Sequence, residues 1–284
     1  YEHVADEIDV TSLVDYILIN SFVVCTDWIN WNTSVWRGLD PNGTHKKWGF
    51  VLWDEDATFN HYINYTNVPN ENPDAYPCYP EWINSDPLGV IDILNELLDN
   101  EEFTQYYIAR YMDLLNTAFI EEDMIELLEG IENSIAPDMP QHINRWGGSM
   151  FEWRSNVAKI KNFISDRIDY LPGGLNSCYD LSGPYNITLD VEPINTGQIK
   201  FNSLTIESDN YPWSGMYHGG IDMLVEATGN YTFDYWELDN HVISDPYLPS
   251  FTLMLSESDN IKGVYYSEII PGIVINEINY NPSD

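Results

Sequence analysis

The spacing of hydrophobic residues changes along the chain, and each spacing predicts a different kind of element. Residues 8–25 are apolar on nearly every side of a helix, so we predict a buried helix there with Thr11 as its N-cap. The run "KKWGFVLW" (46–53) alternates like a strand and follows a turn at Asn42-Gly43, a dipeptide typical of hairpins. The predicted order is helix, loop, strand, turn, strand and then an acidic loop.

Residues 60–87 are rich in Asn, Pro and Tyr and predict a long ordered loop, a feature that usually has a function or a partner. Helical spacing then returns in four amphipathic segments, at 89–100, 101–119, 121–135 and 152–171. The last segment opens with the capping-box spacing Ser149-x-x-Glu152. We expect it to end at "PGG" (172–174).

From about residue 183 apolar residues recur at every second position, which predicts a small all-β module over residues 183–267. Its predicted strands lie in four runs, at 185–192, 197–207, 220–228 and 231–238. Residues 271–284 begin a further segment. The fold class we predict is therefore α+β, with a mainly helical body over residues 1–174 that carries a β-hairpin, followed by the all-β module.

Charge narrows the classes of function. The chain has 46 acidic and 11 basic residues, a net charge of −35. Such a field repels nucleic acids and anionic lipids, so we predict no nucleic-acid partner. No apolar run reaches the roughly 18 residues of a membrane span, so we predict no membrane insertion. We interpret the acidity as a sign of a salt-rich or marine extracellular setting, with a surface adapted to divalent cations as the alternative.

Three cysteines are too few for a disulfide scaffold. Cys25 lies in the apolar helical run and is predicted to be a buried thiol. Cys78 and Cys178 lie in loops rich in Pro, Gly and Ser, so one disulfide between them is left open for an oxidising compartment. Their spacing does not predict a zinc site.

Asp27 and Asn32 stand in the order Asp-x-x-x-x-Asn after the predicted buried helix. Phosphoryl-transfer enzymes of the protein-kinase type use this spacing, in which the Asp accepts or orients the attacking hydroxyl and the Asn oxygen ligates a divalent ion. Asp54 follows the predicted strand, where a carboxylate would bridge that ion to the nucleotide. Asp56 points to the same side if the backbone stays extended. Because Mg²⁺ prefers oxygen ligands, Asn32, Asp54 and Asp56 are candidate metal ligands.

The acidic residues also allow simpler interpretations. Roughly one residue in six is acidic, so an Asp-x4-Asn spacing arises easily by chance. A calcium loop at "DEDATF" lacks the glycine at its sixth position and has Tyr65 where the bidentate Glu belongs, although a structural Ca²⁺ site with one carboxylate is left open. Five nearby tryptophans are predicted to pack in the core and hairpin rather than to form a sugar platform: Trp28, Trp31, Trp36, Trp48 and Trp53.

The segments "DWINWNTSVWRG" and "GTHKKWGFVLWDEDATFNHYINYT" resemble the signature of the spore-coat protein H (CotH) kinase family, and the resemblance covers roughly residues 8–172. It implies an atypical protein-kinase fold in a secreted or cell-surface bacterial protein. The implied activity is phosphorylation of protein Ser/Thr with ATP and Mg²⁺ or Mn²⁺. By the same resemblance Asp27 is the catalytic residue, Asn32 and Asp54 bind the cofactor and its metal, and Asp56 supports the metal.

Beyond the kinase-like segment, residues 183–267 resemble a β module often appended to such bacterial proteins. Residues 271–284 resemble the start of a lamin-tail-like β domain.

The chain departs from the kinase pattern near its beginning. A kinase holds the ATP phosphates with a Lys and a Gly-rich loop upstream of the catalytic loop, but no Lys or Arg precedes Arg37 here. We therefore expect that the N-lobe is absent from this chain and that this fragment alone is nearly inactive, its missing partner being the upstream N-lobe of the same protein. The alternative is a catalytically inactive, kinase-derived extracellular module for adhesion or for binding a glycan or protein.

Overall fold

The computed structural model of the protein describes residues 1–29, 31–40 and 42–266. Backbone contacts divide the chain into two compact units. The first unit contains Tyr1–Tyr185 with Met216–Asp222 and Met254–Ser256, and the second contains Asn186–Gly215, Met223–Leu253 and the chain from Glu257. The architecture is α+β, as predicted; the domain boundaries proposed from the sequence stay predictions.

The first unit begins with helices α1 (Glu2–Glu7) and α2 (Val10–Val23). The predicted N-cap of α2 was wrong: the carboxylate of Asp9, and not Thr11, accepts a hydrogen bond from the Ser12 backbone N–H at 3.1 Å. The helix is buried on most sides, as its composition predicts. It ends where Val24 adopts a left-handed conformation with φ 49°.

The predicted hairpin consists of β1 (Ser34–Trp36) and β2 (Gly49–Val51), which pair antiparallel with Ser34 opposite Val51. The strands are shorter than predicted because a long connection, 37–48, separates them. Gly43 donates its N–H to the Asp40 carbonyl at 3.0 Å, so the predicted turn lies within this connection and does not join the strands directly.

The tryptophans around the hairpin differ widely in burial. Trp28 is fully buried, as predicted, whereas Trp31 is 79% exposed and Trp53 is 63% exposed. The prediction that all five pack in the core and hairpin was therefore wrong for these two, while Trp36 and Trp48 are 46% and 37% exposed and contact the hairpin connection at His45 and Arg37.

Residues after the hairpin run as a long ordered segment that contains one 3₁₀-helix, Tyr79–Trp82. Cys78 in this segment forms a disulfide with Cys178, whose Cα lies 5.9 Å away. Among the residues described, Cys25 is the free cysteine, and it is buried as predicted. The disulfide that the sequence left open is thus present.

Five helices complete the first unit: α3 (Val90–Leu98), α4 (Glu101–Leu115), α5 (Glu121–Ile135), α6 (Met139–Trp146) and α7 (Met150–Tyr179). Ser149 caps α7, because its Oγ accepts from the Glu152 N–H at 3.1 Å; the Glu152 carboxylate accepts from this hydroxyl at 3.0 Å rather than from the Ser149 backbone N–H of a full capping box. Helix α6, which has only eight residues, was not predicted. None of the helices in the described part of the chain is long and apolar enough to cross a membrane.

The predicted end of α7 at residues 172–174 was wrong, because the helix continues through Pro172 to Tyr179. Proline disfavours a helix interior by about 3 kcal/mol. Tertiary contacts favour the continuation: a Cβ placed at Gly174 would lie 2.8 Å from Pro77, so only glycine permits this close approach. The disulfide at Cys178 joins the same turn to the same segment.

Eight strands follow: β3 (Ser182–Glu192), β4 (Gln198–Phe201), β5 (Leu204–Ile206), β6 (Trp213–Gly219), β7 (Asp222–Thr228), β8 (Phe233–Leu238), β9 (Ser250–Met254) and β10 (Asp259–Tyr265). They form two four-stranded sheets, ordered β6-β3-β10-β8 and β5-β4-β7-β9. Strands β3 and β10 are parallel, with Ile187 opposite Asp259. Alternate residues of the strands are buried, as the period of two predicts.

Asp259 orders a turn within the second unit. Its buried carboxylate accepts hydrogen bonds from the backbone N–H groups of Asp239, Asn240 and His241 at 2.8, 2.9 and 3.0 Å. The predicted lamin-tail-like segment, 271–284, lies outside the described residues.

Replacing both Cys78 and Cys178 by alanine should lower the free energy of unfolding by about 4–5 kcal/mol, because the disulfide closes a loop of about 100 residues and restricts the unfolded chain. Urea denaturation measures the loss. Reducing agent should destabilise the wild type by a similar amount and leave the double variant unchanged. Equal stability of oxidised and reduced wild type would contradict the prediction.

Candidate functional site

Asp27 and Asn32, which the sequence predicts as members of one site, are in direct contact. The Asn32 Nδ2 group donates to the Asp27 carbonyl at 2.8 Å and to the Asp27 Oδ2 at 3.2 Å. Thr33 Oγ1 donates to the Trp28 carbonyl at 2.9 Å. These two side chains close the loop after α2 upon itself, so the Asp27 carboxylate is held in a defined orientation.

Aromatic residues of α2 and the loop form the floor beneath this pair. The rings of Tyr16 and Trp28 lie 5.6 Å apart, and both side chains are buried. The Tyr16 hydroxyl lies 2.9 Å from Thr33 Oγ1 and donates to the Asn32 carbonyl at 3.3 Å. Helix α2 is apolar on most sides, but through the Tyr16 hydroxyl it also makes polar contacts that support the loop.

Backbone hydrogen bonds join the Asp27 loop to the acidic loop. The Thr26 N–H and its Oγ1 both donate to the Ala57 carbonyl, at 2.9 and 3.1 Å. Asp27 follows Thr26 and Asp56 precedes Ala57, so these bonds bring two predicted site residues to neighbouring positions.

Tyr65, in the segment after the acidic loop, contacts the backbone beside Asp27. The Tyr65 N–H donates to the Thr26 carbonyl at 2.9 Å. Desolvation and the neighbouring Tyr62 raise the pKa of the Tyr65 hydroxyl, and the charges of Asp27 and Asp56 contribute less to the same shift. Sequence reasoning had assigned Tyr65 no role at the site.

Asp54 occupies a different environment. Its φ is 57°, so the chain turns there and the extended backbone that would place Asp56 on the same side is not present. Asp54 is exposed and makes no hydrogen bond or ion pair within the described part of the chain. Its assignment as a metal ligand therefore stays a prediction.

Glu55, between the two aspartates, points inward beside the buried Cys25 thiol. Burial raises the pKa of the Glu55 carboxyl, and the charge of Asp54 raises it further, while the neighbouring Cys25 thiol opposes the shift. Burial also raises the pKa of the Cys25 thiol, with a further contribution from the charge of Glu55. Three consecutive carboxyl groups thus have three different environments.

Arg167 of α7 is fully buried, and sequence reasoning missed it. Its guanidinium donates to the Ser21 and Phe22 carbonyls at 2.9 and 3.1 Å, to the Pro73 carbonyl at 2.9 Å and to the Ala75 carbonyl. Ser21 and Phe22 belong to the last turn of α2, whose carbonyls have no partner within the helix. A cation there also interacts favourably with the helix dipole. Arg167 therefore holds the end of α2, from which the Asp27 loop departs.

The segment after the acidic loop closes on the same helix end. The Tyr79 hydroxyl donates to the Asn20 carbonyl at 2.9 Å, and Ser21 Oγ donates to the Pro77 carbonyl at 2.7 Å. The disulfide at Cys78 lies between these two contacts in sequence. The segment rich in Asn, Pro and Tyr thus packs against the end of α2 and stabilises the start of the Asp27 loop.

A cleft of about 570 Å³ opens beside Asp56. The acidic loop forms one wall and α7 the other, with Lys159 and Asp166 among its lining residues. Phe59 and Phe163 also line it, and their rings meet edge to face at 5.5 Å. The cleft combines an apolar surface with groups of both charges.

The donor atoms at Asp27 and Asn32 fit a hard divalent cation. The hydrogen bonds from Asn32 Nδ2 to Asp27 bring a carboxylate and an amide group together, and the oxygens of these groups are of the kind that Mg²⁺ prefers. Within residues 1–29, 31–40 and 42–266, however, no group of three or more His, Cys, Asp and Glu side chains is arranged to hold a metal ion.

A buried helix, an Asp–Asn loop bonded to an acidic loop, and a helical body behind them define a kinase-like lobe. The family model described as "CotH kinase protein" matches residues 1–171, and the chain belongs to this family. Comparison with curated proteins gives no match, and comparison with solved structures gives none either.

Replacing Arg167 by methionine should lower the free energy of unfolding by about 3 kcal/mol or more, because several buried carbonyls would lose their charged donor. Urea denaturation measures the difference. Arg154→Met, at an exposed position of the same helix, is the matched control and should change stability by less than about 0.5 kcal/mol. Equal effects of the two substitutions would show that Arg167 does not hold the end of α2.

Glu55→Gln should alter how stability depends on pH. The Glu55 pKa is raised in the folded protein above its ordinary value of 4.5, so the unfolded chain ionises first as the pH rises and wild-type stability falls. The variant lacks this loss, so its stability relative to wild type should be greater at about pH 8 than at about pH 4. Urea denaturation at both pH values measures it, with Glu96→Gln on the exposed side of α3 as the reference. A constant difference between Glu55→Gln and wild type would contradict the shift.

Proposed function

We propose that this protein transfers the γ-phosphoryl group of ATP to a Ser or Thr hydroxyl of a protein substrate. The observation that carries the proposal is the contact between Asp27 and Asn32, in a loop that backbone bonds join to the acidic loop. Membership of the CotH kinase family supports a kinase-like activity. The substrate, the metal and the assignment of each residue are parts of the proposal.

In the proposed reaction Asp27 orients the acceptor hydroxyl and takes its proton. The acceptor oxygen forms a bond to the γ-phosphorus as the bond from that phosphorus to the β–γ bridging oxygen breaks, and ADP leaves. The hydrogen bond from Asn32 Nδ2 holds the Asp27 carboxylate in position. When bound, Mg²⁺ or Mn²⁺ would neutralise phosphate charge, and Asn32, Asp54 and Asp56 would hold it.

The cleft beside Asp56 supports entry of a polypeptide acceptor. It borders the acidic loop and has an aromatic surface at Phe59 and Phe163. Lys159 and Asp166 give it groups of both charges for hydrogen bonding with backbone or side chains. We place the acceptor chain along this cleft, with its hydroxyl directed toward Asp27.

An extracellular or cell-surface location is part of the same proposal. The disulfide between Cys78 and Cys178 supports it, because such bonds persist in oxidising environments. The net charge of −35 also suits a salt-rich medium, where ions screen repulsion between like charges.

A second candidate is an inactive kinase-derived module that binds a protein or glycan. Two observations favour it. The backbone at Asp54 is left-handed rather than extended. Trp31 and Trp53, near the site, are 79% and 63% exposed. Exposed aromatic rings beside polar groups can stack on a ligand without any phosphoryl transfer.

Asp27→Asn should reduce phosphate transfer by about 10²–10⁴-fold, because the acceptor hydroxyl loses its base, while Mg·ATP binding is kept. Asn32→Ala should weaken Mg·ATP binding. Transfer from γ-labelled ATP and isothermal titration with Mg·ATP measure the two effects in the full-length protein. Asp169→Asn, which removes one charge from an exposed position of α7, should change neither.

Absence of Mg·ATP binding in wild type would overturn the enzyme proposal. Glycan-array binding that persists without nucleotide and survives Asp27→Asn would instead support the binding module.

A further inference from the structure

Helix α5 presents an apolar stripe to solvent. Leu127, Ile131 and Ile135 follow one another at four-residue intervals and are 67%, 51% and 43% exposed. Residues four apart lie on one face of a helix, so the three side chains form a continuous surface. Exposed apolar residues are ordinary when scattered, but a continuous stripe is typical of a binding surface.

The opposite side of α5 is already occupied by α7. Lys161 of α7 pairs with Glu129 at 2.8 Å and with Glu132 at 3.6 Å. Ile125 and Leu128, which lie toward the same side, are partly buried. The stripe therefore does not belong to the packing between α5 and α7.

A glycine and a serine lie beside the stripe. Gly130 is in the interior of α5, where glycine weakens a helix relative to alanine, and a Cβ built there meets no atom within 4 Å. Packing within the described chain thus gives no reason for glycine at this position. Ser134 follows one turn later, and both line with the stripe a shallow, open groove of about 600 Å³ that residues of α5 alone form. Small residues beside large apolar ones allow another helix to approach closely.

The negative charge around the apolar stripe of α5 indicates what kind of partner would bind there. The groove has Asp123 and Glu126 at its edge, and α5 as a whole contains six acidic residues and no basic residue. A second copy of a chain with net charge −35 would be repelled from this surface. A partner with lysines or arginines beside its apolar residues would be attracted.

We propose that the exposed face of α5, formed by Leu127, Gly130, Ile131, Ser134 and Ile135, docks a basic amphipathic helix of another protein. The apolar side of that helix would cover the stripe, its backbone would approach at Gly130, and its flanking cations would meet Asp123 and Glu126. This is the helix-in-groove mode of recognition.

The probe is a synthetic leucine/lysine peptide of roughly 20 residues with one apolar helical face, together with a scrambled peptide of the same composition that has no such face. Isothermal titration at physiological salt should show binding of the first peptide and at least about tenfold weaker binding of the second. The variant Leu127→Asn/Ile131→Asn keeps the charge and should also lose about tenfold in affinity. Val242→Asn, a substitution of a 96% exposed residue outside α5, is the control and should bind as wild type.

The substitution Gly130→Ala distinguishes an effect on peptide binding from an effect on folding stability. The substitution should raise the melting temperature, because alanine favours the helix, and should weaken binding of the amphipathic peptide because its Cβ lies in the contact. Equal binding of both peptides, or of wild type and the double variant, would show attraction by bulk charge alone and overturn the proposal. Sedimentation that shows self-association abolished by the double variant would also overturn it, in favour of a second copy.

Discussion

The end of α2 depends on the buried guanidinium of Arg167. The last carbonyls of a helix have no partner within it, and in the interior each lost hydrogen bond costs about 1–3 kcal/mol. Arg167 supplies donors to two of these carbonyls and to the chain at Pro73 and Ala75. One side chain from α7 therefore connects the start of the Asp27 loop with the segment that supports it. The geometry of the site follows from a residue far along the chain.

The acidic residues 54–56 are adjacent in sequence, but the backbone places their three carboxyl groups in different environments. Asp54 is exposed at a left-handed turn, Glu55 is turned inward beside Cys25, and Asp56 stands near Asp27 through the bonds between Thr26 and Ala57. Burial raises the pKa of the Glu55 carboxyl, so its charged form is less favoured than that of an exposed glutamate.

The strong negative charge restricts the partners of every surface of this protein. At −35 the chain repels polyanions, so recognition must rely on cationic groups, on apolar contact or on metal-neutralised phosphates. The cleft beside Asp56 and the exposed face of α5 meet these conditions differently. The first includes Lys159 within an otherwise polar and aromatic wall, and the second combines an apolar stripe with an acidic edge.

Local sequence determined much of this structure. The helix before Asp27, the N-cap at Ser149 and the alternating burial of the strands follow from periodicity and hydrogen-bonding groups that act over a few residues. The Asp-x4-Asn spacing selected Asp27 and Asn32 as members of one site, and the hydrogen bond between them is a local contact across five residues.

Tertiary structure decided what depends on residues distant in sequence. The passage of α7 through Pro172 depends on contact with Pro77, and the disulfide depends on the approach of Cys78 to Cys178. The inward turn of Glu55 and the burial of Arg167 could not be read from charge, since charged side chains are buried only where the fold supplies their partners. Periodicity describes which face of an element is apolar, whereas the identity of the group that covers it is set by the packing of the whole chain.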